Sequence, residues 1–350
     1  MKTKSSAITI GLDLGDRKHA VCVLDAKGEI LKQESIANTR PSLTALSRRH
    51  PGALVVMEVG MHSPWTSRFL KELGHRVLVA NPRKVRAIYQ NERKSDRKDA
   101  EILARLGRSD EKLLHPVEHV CEEMQRDLLQ IKLRDNLVRQ RVDIISSVRF
   151  TLKSLGVMLP SPSSESFART ARNKLRNEHS DLLALIEPSL GVLDAMTEQI
   201  RRLEKSIAAM AAEKYPESEY LTQISGVGLL TSLTFILTIG DPARFGCKRD
   251  VGAFLGLVPR RDQSGETDKQ LRISKAGNTY LRKLLVGCAQ HILGPFGPDT
   301  ALKRKGLKLA EKGGPRAKRK AVVAVARNLA VLLLTLWHDE AIYDSNHRAA

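Results

Sequence analysis

The sequence predicts a mixed α/β N-terminal domain, a long helical middle and a mainly helical C-terminal domain. Three observations predict it. Short β-branched apolar runs alternate with helical patterns only within the first 112 residues or so. From about 117 to 215 strand signals vanish and apolar residues recur at three-to-four spacing. Beyond about 219, apolar helical segments are punctuated by glycine. The division that follows is 1–112, 113–216 and 217–350, and 350 residues suffice for a core in each.

In chain order, AITIGLDLG and HAVCVLDAKGEILKQESI, broken by a DAKGE turn, read as a strand meander. A helix near TRPSLTALSRRH, a strand at ALVVMEV, a helix at SPWTSRFLKELG, a strand at HRVLVANP and a helix from SDRKDAEILARL complete an α/β layout. In the middle, two long amphipathic segments separated by LPSPSSES fit an antiparallel hairpin or an oligomerising coiled coil, without a regular heptad register. The last third opens with YLTQISGVGLLTSLTFILTIG, whose G-V-G turn between apolar helical segments resembles a helix-hairpin-helix. Gly226 and Gly228 there serve either a tight turn or, through turn amides and a helix N-terminus, the grip on a phosphate. Between Ala301 and Ala330 ten Lys or Arg, Lys318, Arg319 and Lys320 among them, face one acid, Glu311; this imbalance argues for phosphate contact.

A net charge of +19 and a pI near 9.9 call for a polyanionic partner. Membrane is the weaker candidate, because uninterrupted apolar runs of spanning length are missing and MKTKSSAITIGLDLG enters a strand too soon for a secretion signal, so the chain reads as cytoplasmic. Cys22, Cys121, Cys247 and Cys288 are scattered and read as reduced packing residues. With 4% aromatic residues, base stacking is not expected to dominate binding.

Four carboxylates carry the chemistry: Asp13 in ITIGLDLGD, Glu58 in VVMEVG, and Asp96 with Asp99 in KSDRKDAEILARL. The last two, at i, i+3, share one helix face. Converging acids could not all stay ionised without cations. Oxygen-only ligands favour Mg²⁺ or Mn²⁺, and two such ions in an acidic cluster serve in-line displacement at phosphorus. Plainer roles stand beside these. Asp13 could cap a loop, as could Asp16; Glu58 could be an exposed strand end; Asp96 and Asp99 could pair with Arg93, Lys94, Arg97 and Lys98. His19 and His62 lack ligand spacing and read as ordinary residues.

With these residues in place the chain resembles the insertion-sequence transposases of the Asp-Glu-Asp-Asp type, related to the Piv DNA invertases. LDLG, MEVG and SDRKDA match the acidic pattern, and LVPRRDQSGETDKQLRISKAGNTYLRKLL is similar to the family's C-terminal transposase hallmark. The likeness covers nearly the whole chain and is weakest in the middle helices. It implies an RNase-H-like N-terminal fold akin to the RuvC resolvase, with Asp13, Glu58, Asp96 and Asp99 holding divalent metal. It implies that Ser264 attacks a DNA phosphodiester to form a covalent phosphoserine, and that a bridge RNA guides donor and target DNA. Arg260, Arg261, Arg272 and Lys275 then read as phosphate ligands or clamps, although Lys275 could start a helix. Ser264-Gly265 by itself is a turn signature, Ser274 could cap the next helix, and the acidic ETD after Gly265 departs from what suits a DNA surface. Ser264 and the acids fall in different domains, so the expected site is composite, and the expected assembly is a dimer or tetramer. The rivals are a RuvC-like metal-dependent junction nuclease without serine chemistry and a non-catalytic nucleic-acid scaffold.

Overall fold

The computed structural model describes residues 8–85, 95–311 and 313–345. The chain divides after His119 into two compact units.

The first unit is built on a five-stranded sheet. Its strands are β1 (Thr9–Asp13), β2 (Lys18–Leu24), β3 (Ile30–Ala37), β4 (Leu54–Glu58) and β5 (Arg76–Ala80). The order is β3-β2-β1-β4-β5, antiparallel among the first three and parallel from β1 through β4 to β5. The parallel strands are buried on both faces, which is why they read as unbroken apolar runs such as LVVM. On one face Ile10, Leu12, Val55 and Met57 pack with Leu43, Leu46 and Leu70 from α1 (Arg40–Arg49) and α2 (Ser63–Glu72). After the short α3 (Pro82–Val85), α4 (Asp96–Ser109) covers the other face, meeting Ala20, Cys22, Leu54 and Val56 with Ala100, Leu103 and Ala104. The sequence-expected helices and strands of this unit all form. Arg93 and Lys94 lie outside the described residues.

The second unit begins with α5 (Glu122–Ser154) and α7 (Ser180–Lys214), which pack along each other with α6 (Phe167–Glu178) between them in sequence. The sequence reading anticipated the long pair but not α6, whose buried Phe167, Ala168, Ala171 and Leu175 close a core at the far end of the pair. At the near end, Leu128, Ile131, Ile207 and Met210 join the core of the last third. That core gathers α8 (Ser218–Thr222), the apolar α9 (Leu229–Ile239), α10 (Asp250–Phe254), α11 (Thr279–Leu293) and α13 (Gly314–Asp339), with α12 (Ala301–Ala310) packed on α13. Residues 113–216 and 217–350 therefore lie largely in one compact unit.

Two features differ from expectation. Residues 259–273 form a two-stranded hairpin, β6 (Pro259–Ser264) and β7 (Thr267–Ile273), inside a segment expected to be helical. Secondly, α13 is long and apolar enough to cross a membrane, although Arg327 and Asn328 interrupt its apolar run; half of that stretch is buried, with Val325, Leu329, Leu333 and Trp337 in the protein core. All four cysteines are free thiols; Cys22 and Cys288 are buried packing residues as expected, whereas Cys121 and Cys247 are exposed and pack no core.

Candidate active site

The strand ends come first. Leu12 pairs with Met57 in parallel register, so Asp13 and Glu58, one residue on, end adjacent strands and share the face covered by α4. Both are half-buried. A Cβ built on Gly11 would lie 1.9 Å from the Ala100 carbonyl oxygen, so only glycine lets α4 come down onto β1. Near the other end of the helix, Arg105 Nη1 donates to Gly28 O at 3.2 Å and Arg108 Nη2 to Ala26 O at 2.6 Å. Those carbonyls belong to the β2–β3 turn, beside the start of β1. The helix N-terminus therefore points toward the strand ends. Its first turn carries Asp96 and the half-buried Asp99, with Ser95 Oγ accepting from Lys98 N as the cap. Four carboxylates thus share one face and one end of the sheet.

The donor set is all oxygen and partly withdrawn from water, which suits a hard divalent cation. Among the described residues, no three His, Cys, Asp or Glu side chains stand close enough together to cage a metal, so the acids flank one region without closing on a point. Next to Glu58, Ser63 Oγ lies 2.9 Å from His119 Nε2, the spacing of a nucleophile and its base. Ser63 is fully buried and its hydroxyl proton goes to Gly60 O, so His119 can only donate to it. This pair is structural.

The second candidate region is the β6–β7 hairpin. Ser264 pairs with Thr267 across a Gly265-Glu266 turn, and the positive φ of Gly265 alone fits a type II′ turn. Every residue from Arg260 to Arg272 is exposed. Among the described residues no hydrogen bond engages the Ser264 hydroxyl, so any activation must come from outside the hairpin. Asp268, in the acidic ETD stretch, holds Arg261 in a two-pronged ion pair with both contacts at 2.7 Å. The guanidinium keeps that carboxyl below its ordinary range. Arg260 faces an irregularity in the ladder opposite Leu271 and Arg272.

The hairpin returns into a clamped loop. Lys275, left-handed at φ 54°, donates its backbone N–H to Gly256 O, and Ser274 donates to Val258 O. Asn278, not Ser274, caps α11, accepting from the Tyr280 and Leu281 amides, while Ser274 Oγ makes a local turn with Ala276 N. The buried Arg282 donates to the Leu255 and Ala276 carbonyls. Sequence reasoning missed Asn278 and Arg282; an Asn directly before a helical run was the available signal for the first. Gly226 (φ 90°) and Gly228 lie in an exposed turn, with Gly228 at the N-cap of α9 and no side chain capping that helix. Lys318, Arg319 and Lys320 are exposed near the start of α13.

Comparison with known proteins bears on both regions. Residues 10–156 match a family of IS110-type DEDD proteins described as transposase, and residues 218–303 match the transposase IS116/IS110/IS902 family. The chain belongs to this transposase family. It is 27% identical over 349 residues to the transposase for insertion sequence element IS1111A of Coxiella burnetii, covering 95% of this chain and 90% of the relative. It is 29% identical over 285 residues to the transposase for IS1328 of Yersinia enterocolitica, covering 80% and 82%. A shorter stretch of 134 residues, 37% of this chain and 40% of the relative, is 28% identical to the pilin gene-inverting protein of Moraxella lacunata. In this transposase the first matched segment contains the four acids and the second contains the G-V-G turn, the hairpin and the clamped loop. The run Lys318-Arg319-Lys320 lies beyond both.

Proposed function

We propose that this transposase cuts and rejoins DNA strands by metal-dependent phosphoryl transfer through a covalent phosphoserine. The observation that carries the reading is the common face and end of the sheet shared by Asp13, Glu58 and the first turn of α4. The sheet order β3-β2-β1-β4-β5, antiparallel then parallel, supports an RNase-H-like assignment for residues 1–112. Asp13, Glu58, Asp96 and Asp99 would hold one or two Mg²⁺ or Mn²⁺ ions. Such ions, when bound, neutralise charge developing on the phosphoryl group and make a hydroxyl a better nucleophile.

Ser264 does the covalent work. Its Oγ bonds to phosphorus as the bond to one strand-end oxygen breaks, and the serine proton ends on that departing oxygen. Attack by a new strand-end hydroxyl reverses the step and rejoins the DNA without loss of a phosphodiester. The exposed hairpin supports this role, because a nucleophile that must reach a duplex cannot be buried. Arg260, Arg261, Arg272 and Lys275 bind backbone phosphates around it, and Gly226, Gly228, Lys318, Arg319 and Lys320 extend the nucleic-acid surface.

Because Ser264 and the acids belong to different units, the working site is composite, formed within one subunit or between subunits of a dimer or tetramer assembled through residues 113–216. A guide RNA that pairs with donor and target DNA leaves the protein to recognise shape and backbone, which suits a basic, aromatic-poor chain. Asp13→Ala and Ser264→Ala should each abolish strand cutting while DNA binding persists. A Ser264→Ala protein that still cuts and leaves free ends would move the assignment to the metal-only junction nuclease.

A further inference from the structure

Two loops leave the sheet where the acids stand. Residues 14–17 follow Asp13 and residues 59–62 follow Glu58. Among the described residues one side-chain hydrogen bond joins them: His62 Nε2 lies 2.9 Å from Asp16 Oδ1. The ring orientation is set from behind, because Trp65 Nε1, which can only donate, lies 3.4 Å from His62 Nδ1. Nδ1 is therefore the acceptor and Nε2 carries the proton given to Asp16. Trp65 is itself packed against the α1/α2 face of the sheet core.

Each loop is also anchored to its own side. Asn38 Nδ2 donates to Gly15 O at 3.2 Å and to Asp16 O at 3.1 Å, and Asn38 N to Arg17 O at 2.9 Å. Gly60 and Ser63 share three hydrogen bonds, and Val59 N donates to Ala80 O. Beyond the β1–β4 pairing from which both loops emerge, the bond between Asp16 and His62 is, among the described residues, the hydrogen bond that crosslinks them.

We infer that Asp16 and His62 are a positioning pair that fixes the spacing of the Asp13 and Glu58 carboxylates for divalent metal. This rests on the acid-site reading above. Asp16 is largely exposed, so the pair adds little to overall stability. Its effect is on geometry, in the way that groups behind metal ligands set affinity.

The test uses full-length protein freed of nucleic acid in high salt and titrated with Mn²⁺, free ion being read by its electron paramagnetic resonance signal. Asp16→Ala and His62→Ala should each weaken Mn²⁺ binding about tenfold and raise the Mn²⁺ needed for strand cutting by the same factor. The double variant should be no weaker than either single one. Asp16→Asn, whose amide oxygen still accepts from His62, should bind as the unaltered protein does. Unchanged Mn²⁺ affinity in both alanine variants, with binding lost in Asp13→Asn, overturns the pair and leaves the acid site standing. Equal weakening by Asp16→Asn and Asp16→Ala makes Asp16 a direct ligand and also overturns it. Unchanged binding in Asp13→Asn removes the acid site and the pair together.

Discussion

The two candidate reactive regions are supported in opposite ways. The acid end is set by the packed interior: Asp13 and Glu58 end strands whose preceding residues are fully buried, and α4 is seated on the backbone of β1 at Gly11. The Ser264 hairpin has no core at all, its residues from Arg260 to Arg272 being exposed, and a lone two-stranded ribbon is marginal in water. The difference teaches that packing positions the acid end, whereas nothing but its own ladder and turn positions the hairpin that carries Ser264.

The strongest way to break this contrast is at glycine. Gly11→Leu must push α4 off the sheet and should cost at least about 3 kcal/mol in urea unfolding of the N-terminal unit. Gly265→Ala, where φ is 54° and no neighbour lies within 4 Å, should cost about 1 kcal/mol and leave that transition untouched. Equal effects at the two sites would contradict the comparison. Limited trypsin digestion sharpens it. Cleavage at Arg260, Arg261, Lys269 or Arg272 should run about a hundredfold faster than any cut within β1 or β4, and cognate nucleic acid should slow it.

Acid provides a third probe. Burial holds His19 below its ordinary range, with His62 adding to the effect, and burial likewise lowers His119 and His50. All three are in the N-terminal unit. A histidine kept neutral by folding binds more protons when unfolded, so its influence is nil well above pH 6.5 and stability erodes as pH falls below it. The slope is at most about 1.4 kcal/mol per pH unit for each histidine. Unfolding from pH 7 to 5 should therefore weaken the N-terminal unit first, and His19→Leu should flatten the profile. The smallest effect is expected on the hairpin. Asp268→Asn releases Arg261 and should tighten non-specific DNA binding by about twofold, a gain that disappears at high salt. The Arg261–Asp268 pair exists above the ordinary aspartate range and is lost as pH falls through the lowered value of Asp268.

Much of the N-terminal unit was legible because its signals are local. VVME and RVLVA are buried strands by composition, TRPSLTALSRR carries its own cap and proline, and Asp96 and Asp99 follow Ser95 at a helix start. The convergence of the four acids was expected from their residue type and from the family resemblance, but no local signal carries it, since it depends on β1 and β4 becoming neighbours and on the direction of α4. The hairpin escaped for the opposite reason. PRRDQSGETDKQLRI has no buried face, so it shows no alternation, and only the Gly265 turn marks it. Helix α6 follows a Pro/Ser break that reads as a loop, and its amphipathic face is visible only against α5 and α7. His62 looked ordinary because its partner lies 46 residues away.

The central claim is that the exposed serine becomes covalently joined to DNA. The most direct measurement incubates the protein and its co-purifying RNA with end-labelled element-junction DNA and Mg²⁺, resolves the products under denaturing conditions, and maps the peptide attached to any shifted strand. The account predicts an adduct on the peptide containing Ser264, lost in Ser264→Ala and in Asp13→Ala. Strand cutting that yields only free ends, with no peptide attached, would contradict it.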